Sequence, residues 1–444
     1  MCKKDDILMR IFQIFKPYNG RLMRFWFGGS LLIGLCDPDH VQKILSSPKL
    51  VIKHEIYDFM KVFLGQGLIT GSGPLHKQHR RLIQPLFDIK FIQDSEKLFR
   101  KHVTVCIGKL EKFMDKGKFD ITPLIHECII DYFSEIILGL PFRCQLKGMS
   151  DFDQAMIEVF DLIFARMTQL HLQFGILFNL SSYKSVQDRL KRIIRGQGQK
   201  ALEESRKRRS QLTKDPTIEE KFSPLIDRIT NVLGEINDEQ IIDHILTLYA
   251  AAEDTISNIA VFFVVCLGIY PEYQDKAVKE IEETIGKSKI PTLEDVPKLK
   301  YIDSCLKEVL RLFPIAPLII RKCSEDYKLE NYVIPEGAAI VVPVFNIHRD
   351  PAHWERPHDF YPDHFIPEKV VKRHIYSYLP FSAGPRGCIG KLISHNALKI
   401  FICIFLQHFK VEVDGKLSDL DLKMDISVRP KNSYNIMLKR RNWH

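Results

Sequence analysis

The chain has 444 residues, 45% hydrophobic and 27% charged, a balance that excludes disordered and fibrous classes and supplies a large core. Its formal net charge of +9 is diffuse, which suits acidic partners or a membrane surface and offers no basic stripe for nucleic acid. Ten cysteines are scattered with no CxxC pair, the pattern of free thiols in a reducing compartment, against a zinc site or a disulfide scaffold.

In the opening stretch MCKKDDILMRIFQIFKPYNG, Arg10, Lys16 and Pro17 interrupt the apolar residues well before the roughly 20 needed to span a bilayer. No transmembrane segment or signal peptide is therefore expected. RLMRFWFG and SLLIGL read as two short strands, and DPDHVQKILSS opens a helix. From there to about Tyr301 the periodicity is helical, as in FSEIILGL and VQDRLKRIIRGQGQKALEESRKRR. The basic run Ser205 to Ser210 reads as the solvated end of a helix and the loop beyond it. The segment from Asn237 to Tyr270, with Asn237 and Gln240 as a capping box and Pro271 past its end, predicts a helix of roughly 50 Å.

After Phe313 the texture changes to short strands and proline-punctuated turns, YVIPEGAAIVVPVF and HRDPAHWERPHDFYPDHFIPE, before a last helix GKLISHNALKIFICIFLQHF. The fold class is thus mainly α with a small β region. No linker or composition shift divides the chain, so one domain is expected over 1–444. Within it, 1–50 hold a first helix and short strands, 51–313 a helical body, and 314–444 a β-rich segment, a loop and the last helix.

Three constellations carry chemistry. In FSAGPRGCIG, Phe381 to Gly390, Gly384 and Gly387 permit backbone conformations and close approach that a side chain forbids, and Pro385 fixes the turn. Cys388 precedes a helix start, where unpaired N–H groups favour a thiolate. Such a cysteine is a buried inert thiol, a metal ligand or a nucleophile, and no base follows in the motif to favour the nucleophile. In AAAEDTIS, Ala250 to Ser257, three alanines make a shelf for a planar group beside Asp254 and Thr255. The plain alternative has Thr255 bonded back to Ala251 and Asp254 facing solvent. In KEVLRLFP, Glu308 and Arg311 share a helical face amid apolar residues, and a pair in that setting is expected to have further partners.

Together, in this order, these residues resemble the cytochrome P450 superfamily of haem-thiolate monooxygenases over nearly the whole chain. Phe381, Gly384, Arg386, Cys388 and Gly390 match its FxxGxRxCxG signature. The resemblance implies the cytochrome P450 fold with a long central helix over haem b, and Cys388 as axial ligand of the iron. It implies propionate contacts from Arg386, His76, Arg80 and Arg321, and a proton-delivering acid and alcohol in Asp254 and Thr255. Glu308, Arg311 and His364 are implied as a structural core.

The chain departs from the family pattern at His76, where tryptophan is usual, at His364, where arginine is usual, and at Ala252, where glycine is usual. The loop wording and helix sequences resemble most family 4 of the superfamily, of insect type, whose members often oxidise fatty acids and other aliphatic chains. Ala251 occupies the position of the glutamate that binds haem covalently in many of them, so non-covalent haem is expected. The resemblance further implies oxygen insertion into an apolar substrate (fatty acid, other aliphatic compound or xenobiotic) and electrons from NADPH through NADPH-cytochrome P450 reductase, with cytochrome b5 as a second partner. The basic proximal face, including Lys77 and Lys391, is the expected docking side. Localisation is expected at the cytosolic face of the endoplasmic reticulum membrane, peripherally, through apolar segments such as FARMTQLHLQFGILF, because the chain starts near the first helix without the usual anchor. The competing readings are a hydroperoxide isomerase that needs no reductase and a non-catalytic haem or lipid binder.

Overall fold

A computed structural model of the protein describes residues 7–18, 22–214, 222–232 and 237–441, so Cys2 and the charged start of the sequence lie outside the described residues. The chain divides into two compact units, one of Met1–Ile52, Val103–Ile125 and Thr255–His444, the other of Lys53–His102 and His126–Asp254.

In the first unit the strands Met23–Phe27 and Ser30–Gly34 pair as an antiparallel hairpin, Phe25 opposite Leu32. Ser30–Gly34 continues in parallel onto Ala339–Val342, which pairs antiparallel with Ile319–Lys322. Ile33, Ile340, Val342 and Ile319 face Val41, Ile44 and Leu45 of the helix Pro38–Ser46, all buried in one cluster. That helix starts where the sequence indicates: the Asp37 carboxylate accepts from the backbone N–H groups of Asp39 and His40, and Pro38 opens the first turn. Gly34 is bare because a Cβ there would lie 2.3 Å from the Phe15 ring of the helix Ile7–Phe15.

A second, three-stranded sheet runs in the order Phe119–Asp120, Asn435–Arg440, Phe409–Glu412. The Gln274 side chain knits it to the helical layer, donating to the carbonyls of Leu267 and Val411 at 2.9 and 2.8 Å and accepting from the Val411 N–H. Behind these sheets lie the helices Pro271–Thr284, Lys300–Leu312 and Lys391–His408. From Ala397 to Gln407 every residue of the last is buried, as expected of a helix apolar all round.

The second unit is helical. Its helix Asp151–Thr168 is opened by Ser150 and Asp153 in a reciprocal capping box. The helix Ser182–Lys214 runs for 33 residues and overturns the expected break at Ser205 to Ser210. Those residues stay helical, Ser205 is fully buried, and Arg208 pairs with Asp227 at 2.9 Å while donating to the Gly139 carbonyl. Arg206, Lys207 and Ser210 are exposed as the local pattern indicates, while the tertiary partners of Arg208 hold the run helical. The same helix tolerates Gly198 because a Cβ there would sit 2.6 Å from Ile242.

The long helix spans Asp238–Ile269, 32 residues or roughly 48 Å, with the Asn237 side chain accepting from the Glu239 N–H. By length and a mean hydropathy of 1.6 it could cross a membrane, but 83% of that window is buried inside the protein, as in a core helix.

Candidate active site

The loop Phe381–Gly390 is folded on itself: the Cys388 N–H donates to the Phe381 carbonyl at 2.9 Å and the Gly387 N–H to the Gly384 carbonyl at 2.9 Å. Gly384 has φ +67° and a Cβ there would fall 2.0 Å from the Leu45 carbonyl oxygen, so only glycine fits. Gly387, expected to share this role, has φ −59°, a conformation any residue adopts, but a Cβ there would press on the Gly384 carbonyl oxygen at 3.2 Å; the other left-handed residue of the loop is Ser382, φ 58°. The close approach at Gly384 is therefore made to the protein's own backbone, at the end of Pro38–Ser46. Arg386 is fixed by Nε donating to the Val51 carbonyl at 2.8 Å.

None of the nine described cysteines is in a disulfide, and eight are buried; Cys388 is the exposed one. It lies just before the helix Lys391–His408, whose N-cap is Gly390. A Cβ on Gly390 would meet nothing nearer than Cys388 Sγ and Ile393 Cγ2 at 3.9 Å, so the protein leaves the space beside this sulfur clear. Among the described residues no group of three or more His, Cys, Asp or Glu side chains could hold a metal ion. An exposed thiol beside a clear glycine face fits a metal that brings its other donors in a flat macrocycle.

Glu308 and Arg311, both fully buried, come from Lys300–Leu312. Arg311 donates from Nε and Nη2 to the two Glu308 oxygens at 2.8 and 2.7 Å. It also reaches the carbonyls of His348 and Pro357 at 2.8 Å and Asp359 at 2.9 Å. All five guanidinium donors are thereby used. Glu308 accepts further from the Tyr361 N–H at 2.9 Å and from His364 Nδ1 at 3.1 Å. Burial would raise its pKa, but the Arg311 charge and these hydrogen bonds hold it below the usual carboxylate range. Trp354, 1% exposed, is flanked by Arg311 at 5.0 Å and Arg373 at 3.8 Å from its ring. The core thus ties Lys300–Leu312 to the turns at 348–364.

Arg321 sits buried in the strand Ile319–Lys322, its Nη1 donating to the Ile320 carbonyl at 3.1 Å. On the long helix Ala251, Ala252 and Thr255 are half-buried, while Glu253 and Asp254 are buried at 3% and 6% exposure. The expectation that Asp254 could face solvent is thus corrected; the three partly open positions, one and three residues apart, form a stripe along one face.

In the second unit His76 and Arg80 share one side of Gly73–Ile83, His76 buried and Arg80 Nε donating to Gln84 at 2.8 Å. Between them in sequence His79 meets His244 of the long helix, Nδ1 to Nε2, at 2.9 Å. Burial, then the neighbouring His79 and His76, push His244 down to about 3, so it is neutral.

Sequence reasoning passed over His79, His244 and the buried Glu253, which faces His126 Nδ1 at 3.5 Å. It also passed over His348, whose Nδ1 lies 3.1 Å from the Arg311 carbonyl and whose Nε2 accepts from the Leu379 N–H at 2.7 Å. The available signal was a histidine inside the apolar stretch VVPVFNIHRD, where a polar ring must find partners.

Residues 1–437 match the family model for cytochrome P450. Cytochrome P450 4c21 of Blattella germanica is 29% identical over 99% of this chain and 90% of its own. Cytochrome P450 4V2 of Rattus norvegicus is 30% identical over 95% and 82%. The crystal structure of the cytochrome P450DA heme domain superposes with a TM-score of 0.86 at 21% identity, over 99% of this chain and 94% of that one, and so supports the fold alone. Fold and signature define a haem-thiolate oxidoreductase. The chain belongs to the cytochrome P450 family, and it is a monooxygenase.

Proposed function

We propose that the protein inserts one atom of dioxygen into an aliphatic, lipid-like substrate, with electrons from NADPH delivered by a flavoprotein reductase. The observation that carries the reading is Cys388, the exposed thiol among nine described cysteines, in a loop closed by its own backbone hydrogen bond to Phe381. Cys388 would hold haem iron, with Arg386 and Arg321 of the same unit as propionate donors. Bound in this way, haem supplies dioxygen activation, the thiolate favouring O–O cleavage.

The chain's own part is to hold and move protons. Thr255 Oγ1 would order a water and the buried Asp254 carboxylate would restore its proton. Asp254→Asn is expected to slow product formation, and Thr255→Ala to let reductant be consumed without product.

Substrate class follows the relatives. Family 4 members often act on fatty acids, and the two relatives described above carry family 4 names. The apolar residues Leu170, Phe174, Ile176, Leu177 and Leu180 are exposed by 44 to 82%, a surface suited to peripheral contact with the cytosolic face of the endoplasmic reticulum membrane. Lys391, exposed at the start of the last helix with its ammonium 5.9 Å from the Phe381 ring, would meet the acidic reductase, and cytochrome b5 is a second acidic partner for the same side.

The test is turnover of dodecanoate by haem-loaded protein with NADPH and reductase under labelled dioxygen. One labelled oxygen in the product is expected. Product formed only from a hydroperoxide, without reductase, would overturn the reading in favour of an isomerase. Lys391→Glu is expected to lose reductase-driven turnover and keep peroxide-driven turnover.

A further inference from the structure

A cavity of about 130 Å³ lies in the first unit, lined by residues of the helix Ile7–Phe15 and of the turns at 346–358, and no residue assigned to the haem site lines it. Its wall carries both signs of charge, Lys16 and Arg349 against the Asp350 carboxylate, with His358 beside them. Arg349 is 9% exposed. Its terminal nitrogens donate to the carbonyls of Phe345 at 3.3 Å and of Leu312, and its guanidinium carbon lies 3.6 Å from the centre of the Phe345 ring. Asp350 Oδ1 accepts from the Ala352 N–H at 2.9 Å. The hydrogen-bond partners of Arg349 and Asp350 among the described residues are thus all backbone. Asn346 donates from Nδ2 to the Phe12 carbonyl at 2.9 Å, which fixes the sense of its amide. Its Oδ1 is buried and has no hydrogen-bond partner among the described residues.

An arginine keeps its proton, although burial and the nearby Arg311 charge disfavour the charged form of Arg349. An anion in the cavity would therefore recover free energy lost when that cation was buried. Burial, then the charges of Arg349 and Lys16, hold His358 below its usual pKa, so the ring is neutral at pH 7. Burial, then Asp350 and Asp37, push the Cys36 thiol up to about 12, so this part of the lining stays an uncharged thiol. A bare anion answers Lys16 and Arg349 but leaves Asn346 Oδ1 without a donor and meets the Asp350 charge. A ligand with a phosphate at one end and a primary ammonium at the other answers all four. Phosphate oxygens suit the two cations, and an ammonium brings three donors for the amide oxygen and the carboxylate. A quaternary ammonium brings none. The helix that turns Phe12 and Phe15 to the cavity exposes Met9 and Ile14 by 43 and 51%, apolar surface suited to lipid.

We propose that this cavity binds a phosphate ester bearing a primary ammonium, the chemistry of an aminophospholipid head group, with Lys16 and Arg349 on the phosphate and Asn346 and Asp350 on the ammonium.

The experiment is calorimetric titration of the haem-loaded protein with phosphoethanolamine, phosphocholine and inorganic phosphate. Phosphoethanolamine is expected to bind about tenfold or more tighter than the other two, the range of a charge-assisted hydrogen bond. Asp350→Asn, which keeps the acceptor for Ala352, is expected to erase that preference. Lys16→Gln, at an exposed position, is expected to weaken phosphoethanolamine and phosphocholine alike, and circular dichroism checks that both variants fold. Flotation with vesicles of phosphatidylcholine alone, or mixed equally with phosphatidylethanolamine, distinguishes the sources. Stronger flotation with the mixed vesicles, lost in Asp350→Asn, assigns the site to a lipid. Tight binding of phosphoethanolamine with equal flotation in both assigns it to a soluble ester. Absence of binding, equal affinity for phosphocholine, or a preference unchanged in a folded Asp350→Asn would each overturn the proposal.

Discussion

His364 Nδ1 lies 3.1 Å from Glu308 Oε1 while its Nε2 faces the Glu355 carbonyl oxygen, so both ring nitrogens meet acceptors. Where the family pattern has an arginine, a histidine places its two ring nitrogens between the Glu308 carboxylate and this carbonyl.

Replacing His364 by phenylalanine keeps the ring that packs edge-on to Trp354 at 5.3 Å and removes both ring nitrogens. Glu308 would keep Arg311 and the Tyr361 N–H, so the expected loss is about 1–3 kcal/mol, that of an under-satisfied buried acceptor. Urea unfolding at neutral pH measures it; unchanged stability would show that the histidine is not needed to hold Glu308.

Loss of Arg311 is more severe. Arg311→Lys leaves three donors where five were in use and fails to cover the Glu308 carboxylate as a fork. Breaking a buried pair by altering one partner costs about 3–5 kcal/mol, so the variant is expected to accumulate poorly and to unfold many degrees lower in a thermal scan.

His348 gives the protein an acid limit. Burial pushes its pKa down to about 3, and its two hydrogen bonds suit the neutral ring with the proton on Nδ1. The unfolded chain binds a proton near pH 6.5 that the folded one refuses, so the contribution is full above that pH. It is lost at about 1.4 kcal/mol per unit as pH falls below it. His348→Gln is expected to flatten the dependence of urea midpoint on pH between 7.5 and 5.5. Parallel pH profiles for the two proteins would contradict this.

Two glycines of the cysteine loop separate folding from cofactor binding. Gly384→Ala forces a Cβ onto the Leu45 carbonyl at 2.0 Å and φ +67°, and should destabilise the protein with or without haem, by about 1–3 kcal/mol. Gly390→Ala meets only ordinary contacts at 3.9 Å, so the haem-free protein should keep its melting temperature while haem titration shows weaker binding. Equal effects of both variants on the haem-free protein would remove the distinction.

Much of this was legible in residue order. Asp37 with Pro38 marks a helix start because a short acidic side chain and a proline satisfy the first turn locally, and the strands Met23–Phe27 and Ser30–Gly34 follow from apolar runs broken by Gly28–Gly29. Glu308 and Arg311 were visible as a pair because three residues on a helix share a face. That Arg311 would take three carbonyls from residues 348–359 was not, since backbone partners from distant turns leave no mark in composition. The course of Ser182–Lys214 through Ser205 escaped for the same reason: Asp227 and the Gly139 carbonyl, not neighbours in sequence, hold Arg208. Nor could composition mark two units whose segments interleave along the chain.

The most direct test of the whole account is the carbon monoxide difference spectrum of the reduced, haem-loaded protein beside Cys388→Ser. A strongly red-shifted Soret band in the native protein, absent from the variant, is the expected result and assigns thiolate ligation to Cys388. The same band in both, or a native spectrum typical of histidine-ligated haem, would contradict it.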